Sequence, residues 1–307
     1  MWSPFLPIAS LTAGLLSGFQ HSFNISHGAV TRLNYTELST FTPYIEFARA
    51  AYCNPIKIAP GWKCGAACDA LPGFIPTLTG GDGAGTQYFY VGYWPTQSAV
   101  VVAHQGTDPH KMLAVLTDLK FKFMSLDPIL FPDIPSDIEA HSGFVIEHMK
   151  TANWILAEVE QLMDEHSSTN VILVGHSLGG ALAELDTLFM TLNLPAGTTI
   201  RGVTFGTPRV GNVAWATFFD SQVFNFTRIN NKRDPVPVIP GRVHGFGFRH
   251  PATEIHIQPD GKAVICPDDG VDPQCSDKLV PDAFEGNKSD HNGPYNGILI
   301  GTEECTP

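Results

Sequence analysis

Basic residues are scarce in this chain. Its 307 residues hold 18 Lys and Arg against 30 Asp and Glu, a formal net charge of −12. Nothing basic is clustered enough to neutralise a run of phosphates, which excludes nucleic-acid binding. The same balance disfavours electrostatic docking on anionic membranes and leaves open only apolar, peripheral contact with a lipid surface. Long apolar runs are missing too: no later stretch approaches the length, about 20 residues, that a membrane-spanning helix needs. The first one, residues 1–18, is short, apolar and ends in small residues, as an export leader does, although Lys and Arg are absent from its start. No linker-like segment, repeat or composition break divides the rest, so residues 19–307 are expected to form one domain.

What is present points to an oxidising compartment. The six cysteines are Cys53, Cys64, Cys68, Cys266, Cys275 and Cys305. Cys64 and Cys68 have ligand-like spacing, but no second Cys/His pair sits near them to complete a zinc site. Local disulfides across Cys64–Cys68 and Cys266–Cys275 are the simpler expectation and leave Cys53 to join Cys305; sequence alone leaves other pairings open. Asn-x-Ser/Thr sequons occur at Asn24, Asn34, Asn225 and Asn287. Asn225 falls inside an expected strand, so glycosylation is expected at Asn24, Asn34 and Asn287.

Apolar periodicity alternates between strand-like and helix-like. A helix is expected over 36–52 and strands over 87–94 and 98–104. Over 143–165, Val145, Met149, Ala152, Leu156, Val159 and Met163 share one helical face. Asn170-Val-Ile-Leu-Val174 is a continuous apolar run suited to a strand covered on both faces. A helix with Leu178, Leu182, Leu185, Phe189 and Leu192 on its inner stripe follows, then strands over 199–205 and 223–230 with a helix-like segment at 212–219. This alternation implies an α/β fold with a mostly parallel central sheet and helices on both faces.

Gly175-His-Ser-Leu-Gly179 sits between that apolar strand and helix, the context a Gly-x-Ser-x-Gly nucleophile turn requires. A sharp strand-to-helix turn strains the serine backbone, and residues two either side must lack bulk where strand and helix nearly touch. Ser177 is therefore the candidate nucleophile. The Leu178 N–H, at the helix start, is a candidate oxyanion donor, worth about 3–4 kcal/mol in the transition state. A serine hydroxyl needs an imidazole to take its proton and a carboxylate to hold that imidazole, in the chain order Ser, Asp/Glu, His. Glu184 and Asp186 lie in the serine's own helix, and Asp220 closes another. Asp234 follows a strand and precedes Pro235-Val-Pro237, which places it at the carboxyl edge of the sheet.

Three ordered motifs, Gly175-His-Ser-Leu-Gly-Gly-Ala181, Thr204-Phe-Gly-Thr-Pro-Arg-Val-Gly-Asn212 and Asn231-Lys-Arg-Asp-Pro-Val-Pro237, resemble those of the fungal class 3 lipases, an α/β-hydrolase branch; basidiomycete members look closest. The resemblance runs from about residue 36 to the C-terminus. It implies Ser177, Asp234 and His291 as catalytic residues, because Asp290-His-Asn-Gly-Pro-Tyr295 resembles the family's Asp-His-x-x-Tyr pattern. The other histidines after Asp234 read differently: His256 as an outward strand residue, His244 and His250 as flanks of a surface excursion. Gly106-Thr107 resembles the family's Gly-Ser/Thr oxyanion segment and implies Thr107 as second donor, although His104-Gln105 stands where an aromatic-Arg pair is common. Residues about 108–119 are implied to be a lid, with Met112, Leu113, Val115 and Leu116 as its apolar face. His141-Ser-Gly-Phe144 resembles a supporting His-x-Gly-Phe segment.

The resemblance implies a secreted lipase, a serine carboxylic-ester hydrolase that uses no cofactor and no metal, acts on lipid or ester at an oil–water interface, and is monomeric. Asp268-Asp-Gly-Val-Asp272 lacks a calcium-loop ligand frame and reads as a solvated turn. A feruloyl or other bulky-ester esterase on the same core is the alternative, and a non-catalytic binding protein the alternative from a different class.

Overall fold

The computed structural model describes residues 30–59, 61–107, 122–242, 247–266, 272–301 and 305. The expected leader, Asn24, the lid segment with Met112, Leu113, Val115 and Leu116, His244, and most of the 268–272 turn lie outside the described residues. The strands, in chain order, are β1 (Thr31–Leu33), β2 (Ile75–Gly80), β3 (Phe89–Trp94), β4 (Ala99–His104), β5 (Phe123–Ser125), β6 (Glu139–His141) and β7 (Asn170–His176). They continue with β8 (Thr199–Phe205), β9 (Gly211–Asn212), β10 (Phe226–Asn231), β11 (Phe248–Arg249), β12 (Glu254–Ile257) and β13 (Ala263–Cys266).

Nine of these form one sheet in the order β1-β13-β12-β10-β8-β7-β4-β3-β2, and β11-β9-β6-β5 form a second, smaller one. The centre of the large sheet, from β12 to β4, is parallel. Two antiparallel strands extend it at each edge. This is the expected α/β-hydrolase architecture with hairpin margins.

The central strands read as unbroken apolar runs because both their faces are covered. Val101, Ala103, Ile172 and Val174 point into one core, with Phe47, Ala48 and Ala51 from the helix Thr42–Ala50 and the residue beyond it. Val100, Val102, Val171 and Leu173 point into the other, against the helices Ser142–Met149, Ala152–His166, Leu178–Asn193 and Val213–Gln222. Each such side chain contributes about 1.5–3 kcal/mol on burial. The period of two thus builds both cores at once and fixes the register of the strand that ends at His176, just before Ser177.

Several boundaries differ from the sequence reading. The helix expected over 36–52 is two, Tyr35–Ser39 and Thr42–Ala50, because Pro43 starts a new helix at its first turn. The helix expected over 143–165 breaks at Lys150–Thr151, and the break resets the helical phase. Ile155 and Leu162 are buried in place of the expected Met149 and Leu156; Met149 is exposed. The helix Leu178–Asn193 is buried on all sides from Gly179 to Met190, so its expected single stripe understates its burial. Asn225 is exposed in a bend one residue ahead of β10, which removes the reason for excluding its sequon. Asn34 and Asn287 are exposed as well, each capping a short helix.

The cysteines are joined as Cys53–Cys305, Cys64–Cys68 and Cys266–Cys275. The first pair ties the chain just after the helix Thr42–Ala50 to the far C-terminus. Among the described residues, no helix is long and apolar enough to cross a membrane.

Candidate active site

Ser177 stands at the carboxyl end of β7 and opens the helix Leu178–Asn193 with φ 58° and ψ −129°. A non-glycine residue holds such a backbone only when its surroundings impose it, at about 1–3 kcal/mol. Here they do. The Ser177 N–H donates to the Phe205 carbonyl at 2.9 Å, and its own carbonyl accepts from the N–H groups of Gly180 and Ala181. A Cβ on Gly175 would collide with the Gly179 carbonyl, and one on Gly179 with the His104 carbonyl. The two glycines are therefore set by contact between strand, turn and helix.

Asp234 leaves the end of β10 in a turn and is buried. Its Oδ1 accepts from the Val236 N–H at 2.9 Å, and its Oδ2 meets His291 Nδ1 at 2.9 Å. His291, buried in the turn Lys288–Asn292, has its Nε2 buried without a hydrogen-bond partner among the described residues. A carboxylate on Nδ1 makes that nitrogen the donor and leaves Nε2 as the acceptor, the tautomer a general base needs. The His291 carbonyl accepts from Tyr295 Oη at 3.0 Å and from His176 Nε2 at 2.9 Å, so the residue is held by its backbone as well as its ring.

Gly206, which follows β8, approaches this pair from the sheet side. A Cβ there would lie 2.8 Å from Asp234 Oδ2 and 3.0 Å from His291 Nδ1, at a φ of +52°. Gly206→Ala is expected to wedge the pair apart and lower kcat by about 10²-fold with little change in KM, as misplacement of a catalytic group by about 1 Å does. Steady-state kinetics on a soluble ester check this; an unchanged kcat would show that the pair tolerates displacement.

The segment expected to hold the oxyanion donor reaches Ser177 through Gly106, whose Cβ position lies 2.9 Å from Ser177 Cβ, and Thr107 follows it directly. As the first helical residue, Leu178 has an N–H with no intrahelical acceptor. The unusual His104-Gln105 has a local explanation. His104 Nε2 meets Asp186 Oδ2 at 2.6 Å, and His148 Nε2 meets Asp186 Oδ1 at 2.8 Å, all three residues being buried. Burial works against an ionised Asp186, but the two imidazoles overcome it and hold the carboxyl below the usual range. Gln105 closes the same corner: its side chain accepts from the Tyr88 N–H at 2.9 Å.

The carboxylates passed over in the sequence are engaged elsewhere. The Asp220 side chain accepts from the Ala252 N–H. Glu184 is fully buried, and its Oε1 accepts from Trp215 Nε1 at 2.9 Å. Burial pushes its pKa up to about 8. A carboxyl whose folded-state pKa is raised adds stability below its unfolded-state pKa, and that stability is lost as pH rises through 8. Glu184→Gln keeps the acceptor without the charge. It is expected to be more stable than the parent by on the order of 3 kcal/mol at pH 8, with the gain shrinking toward zero below pH 4.5. Urea unfolding of both proteins at several pH values checks the slope; a pH-independent difference would show that Glu184 does not titrate in this window.

Two histidine readings are corrected. His256 is fully buried in β12, with Nδ1 at 2.5 Å from the Gln274 carbonyl and Nε2 at 2.8 Å from the Lys232 carbonyl. Strand alternation fails as a guide there because β12 is covered on both faces. His250 is buried too, its Nε2 donating to the Pro237 carbonyl at 2.8 Å. His141 packs 4.3 Å from the Phe144 ring, and burial pushes its pKa down to about 4. Among the described residues, no cluster of three or more His, Cys, Asp or Glu side chains is arranged to hold a metal. Gly206, His176 and Tyr295 were missed as site residues, although each stands within a motif whose neighbours were chosen.

The class 3 lipase family model matches residues 101–244. A lipase of Rhizopus niveus is 29% identical over 261 residues, covering 83% of this chain and 63% of its own length. A secreted mono- and diacylglycerol lipase of Malassezia globosa is 28% identical over 267 residues, covering 86% of this chain and 83% of its own. The structure of the Rhizomucor miehei triacylglyceride lipase superposes with a TM-score of 0.76 at 26% identity, covering 91% of this chain and all of that one. The structure has the α/β-hydrolase fold, with a strained serine turn at the end of β7. The chain is similar to the class 3 lipases over the residues matched, and it spans 63% of the length of the Rhizopus relative.

Proposed function

We propose that this chain is a secreted carboxylic-ester hydrolase of acylglycerols that works through an acyl-enzyme on Ser177. The observation that carries the reading is the strained Ser177 turn set among the fold's strand ends with a buried Asp234–His291 pair whose Nε2 is unpartnered among the described residues. In the proposed cycle, Ser177 Oγ attacks the ester carbonyl carbon as His291 Nε2 takes its proton. Asp234 stabilises the resulting imidazolium. The N–H groups of Thr107 and Leu178 receive the oxyanion, and the tetrahedral adduct expels the alcohol, protonated by His291. Water, deprotonated by the same imidazole, then attacks the acyl-enzyme, releasing the acid and restoring Ser177.

Acylglycerols are the proposed substrate class because the Malassezia relative is named for mono- and diacylglycerols and the Rhizomucor one for triacylglycerides. Secretion is proposed from the three disulfides and from the relative named as secreted. The segment about 108–119, which follows Thr107 directly in the sequence, is the proposed interface sensor, and the protein is proposed to act as a monomer. Hydrolysis of glyceride emulsions beside methyl ferulate tests the substrate class. Acylglycerol turnover that disappears in Ser177→Ala is expected; turnover of the ferulate alone would move the protein to the bulky-ester esterases, and a rate flat across the substrate's solubility limit would remove the sensor.

A further inference from the structure

Tyr52 stands far from Ser177 in the sequence, just past the helix Thr42–Ala50 and next to the Cys53–Cys305 disulfide. Its hydroxyl lies 2.6 Å from His176 Nδ1, and the Gly106 backbone closes on the same oxygen, so near that a Cβ on Gly106 would collide with it. His176 in turn places Nε2 at 2.9 Å from the carbonyl of His291. The direction of every bond in this chain follows from chemistry. A carbonyl oxygen only accepts, so His176 Nε2 carries a proton. Burial, with the neighbouring His291, holds the His176 pKa well below its ordinary value, so the ring is neutral and Nδ1 is an acceptor. Tyr52 therefore donates to Nδ1. Burial raises the Tyr52 pKa and keeps the hydroxyl protonated for that role.

The result is one polarised run, Tyr52 to His176 and His176 to the His291 carbonyl, which Tyr295 Oη also reaches at 3.0 Å, with Gly106 packed against the Tyr52 hydroxyl. It joins the segment bearing Thr107, the residue before the nucleophile and the backbone of the general base. We infer that Tyr52 is a positioning residue for ester hydrolysis, setting the oxyanion segment and His291 in register across Ser177. This rests on the ester-hydrolase reading. Crowding supports it: a Cβ on Gly106 would strike the Tyr52 hydroxyl, the His176 carbonyl and Ser177 Cβ together, so the three groups share one corner. Tyr52 touches no reacting atom. Its effect passes through the two groups it fixes.

Tyr52→Phe keeps the ring and removes the hydrogen bond to His176, and His176→Asn cuts the same run from its other end. The test is kcat and KM on p-nitrophenyl butyrate, counted per active site titrated with a p-nitrophenyl alkylphosphonate, together with the thermal unfolding midpoint. Each variant is expected to lose about 10²-fold in kcat with KM within about twofold, as groups displaced by about 1 Å do. The double variant is expected to lose little more than either single one, because both break one connection. A purely packing role would lower the midpoint and the number of titratable sites but leave kcat per site unchanged. That outcome, or losses that multiply in the double variant, would overturn the positioning role. A parent protein that neither hydrolyses the ester nor takes up the phosphonate would instead sink the hydrolase reading, and the role of Tyr52 in it, at the first step.

Discussion

Ser177→Ala is expected to lower kcat for ester hydrolysis on the order of 10⁶-fold, with the fold intact. The magnitude follows from what the serine does alone. With Oγ gone, no covalent intermediate forms, and His291 Nε2 has nothing in the turn to deprotonate. Only the proposed Thr107 and Leu178 donors and substrate binding remain, which sustain a small residual rate over water. The turn itself should survive, since Ser177 is held by its backbone bonds to Phe205, Gly180 and Ala181. Ser177→Gly should be as inactive yet more stable by about 1 kcal/mol or more, because glycine accepts a φ of 58° without the strain a side chain brings. Kinetics on a soluble ester and thermal unfolding of the three proteins check both halves. An alanine variant that kept a tenth of the activity would place the nucleophile elsewhere.

Asp234→Asn is expected to cost about 10⁴-fold in kcat, through a change of tautomer with the geometry preserved. The Asp234 Oδ1 receives the Val236 N–H at 2.9 Å, and a replacing asparagine keeps that bond only by placing its carbonyl oxygen there. Its amide then points at His291 Nδ1 as a donor. Nδ1 becomes the acceptor, the proton moves to Nε2, and the imidazole can no longer take the Ser177 proton. Nitrogen-15 shifts of the His291 ring, read beside kcat, check the chain of cause. A large loss with Nε2 still unprotonated would mean that the carboxylate acts by charge alone, and a loss under tenfold would remove it from the proposed triad.

Much of this arrangement was legible because it is local. The strand–turn–helix around Ser177 announces itself through a continuous apolar run, two glycines and an apolar helix. Strands β4, β7 and β8 fall within a residue or two of their expected limits because each is buried on both faces. What stayed hidden depends on contacts between distant segments. Tyr52 looked like the end of a helix, and its role is set by Gly106 and His176, more than 50 and 120 positions away. His104 broke a family pattern without stating why, because Asp186 and His148 arrive from two helices that only the fold brings together. His256 and His250 were read by alternation and by glycine content, and both rules fail where a loop or a further strand covers the outer face. Asn225 was excluded by a strand boundary set three residues early, a small error with a large consequence for an exposed side chain.

The most direct test of the central claim is covalent. The protein is incubated with an excess of a p-nitrophenyl alkylphosphonate, an ester-transition-state mimic that bonds only to an activated serine, and the labelled peptide is located by mass mapping. One phosphonyl group per chain is expected on Ser177, with hydrolysis lost in proportion to labelling and no uptake by Ser177→Ala. Full ester hydrolysis after exposure with no label on Ser177, or a label on another residue, would contradict that claim.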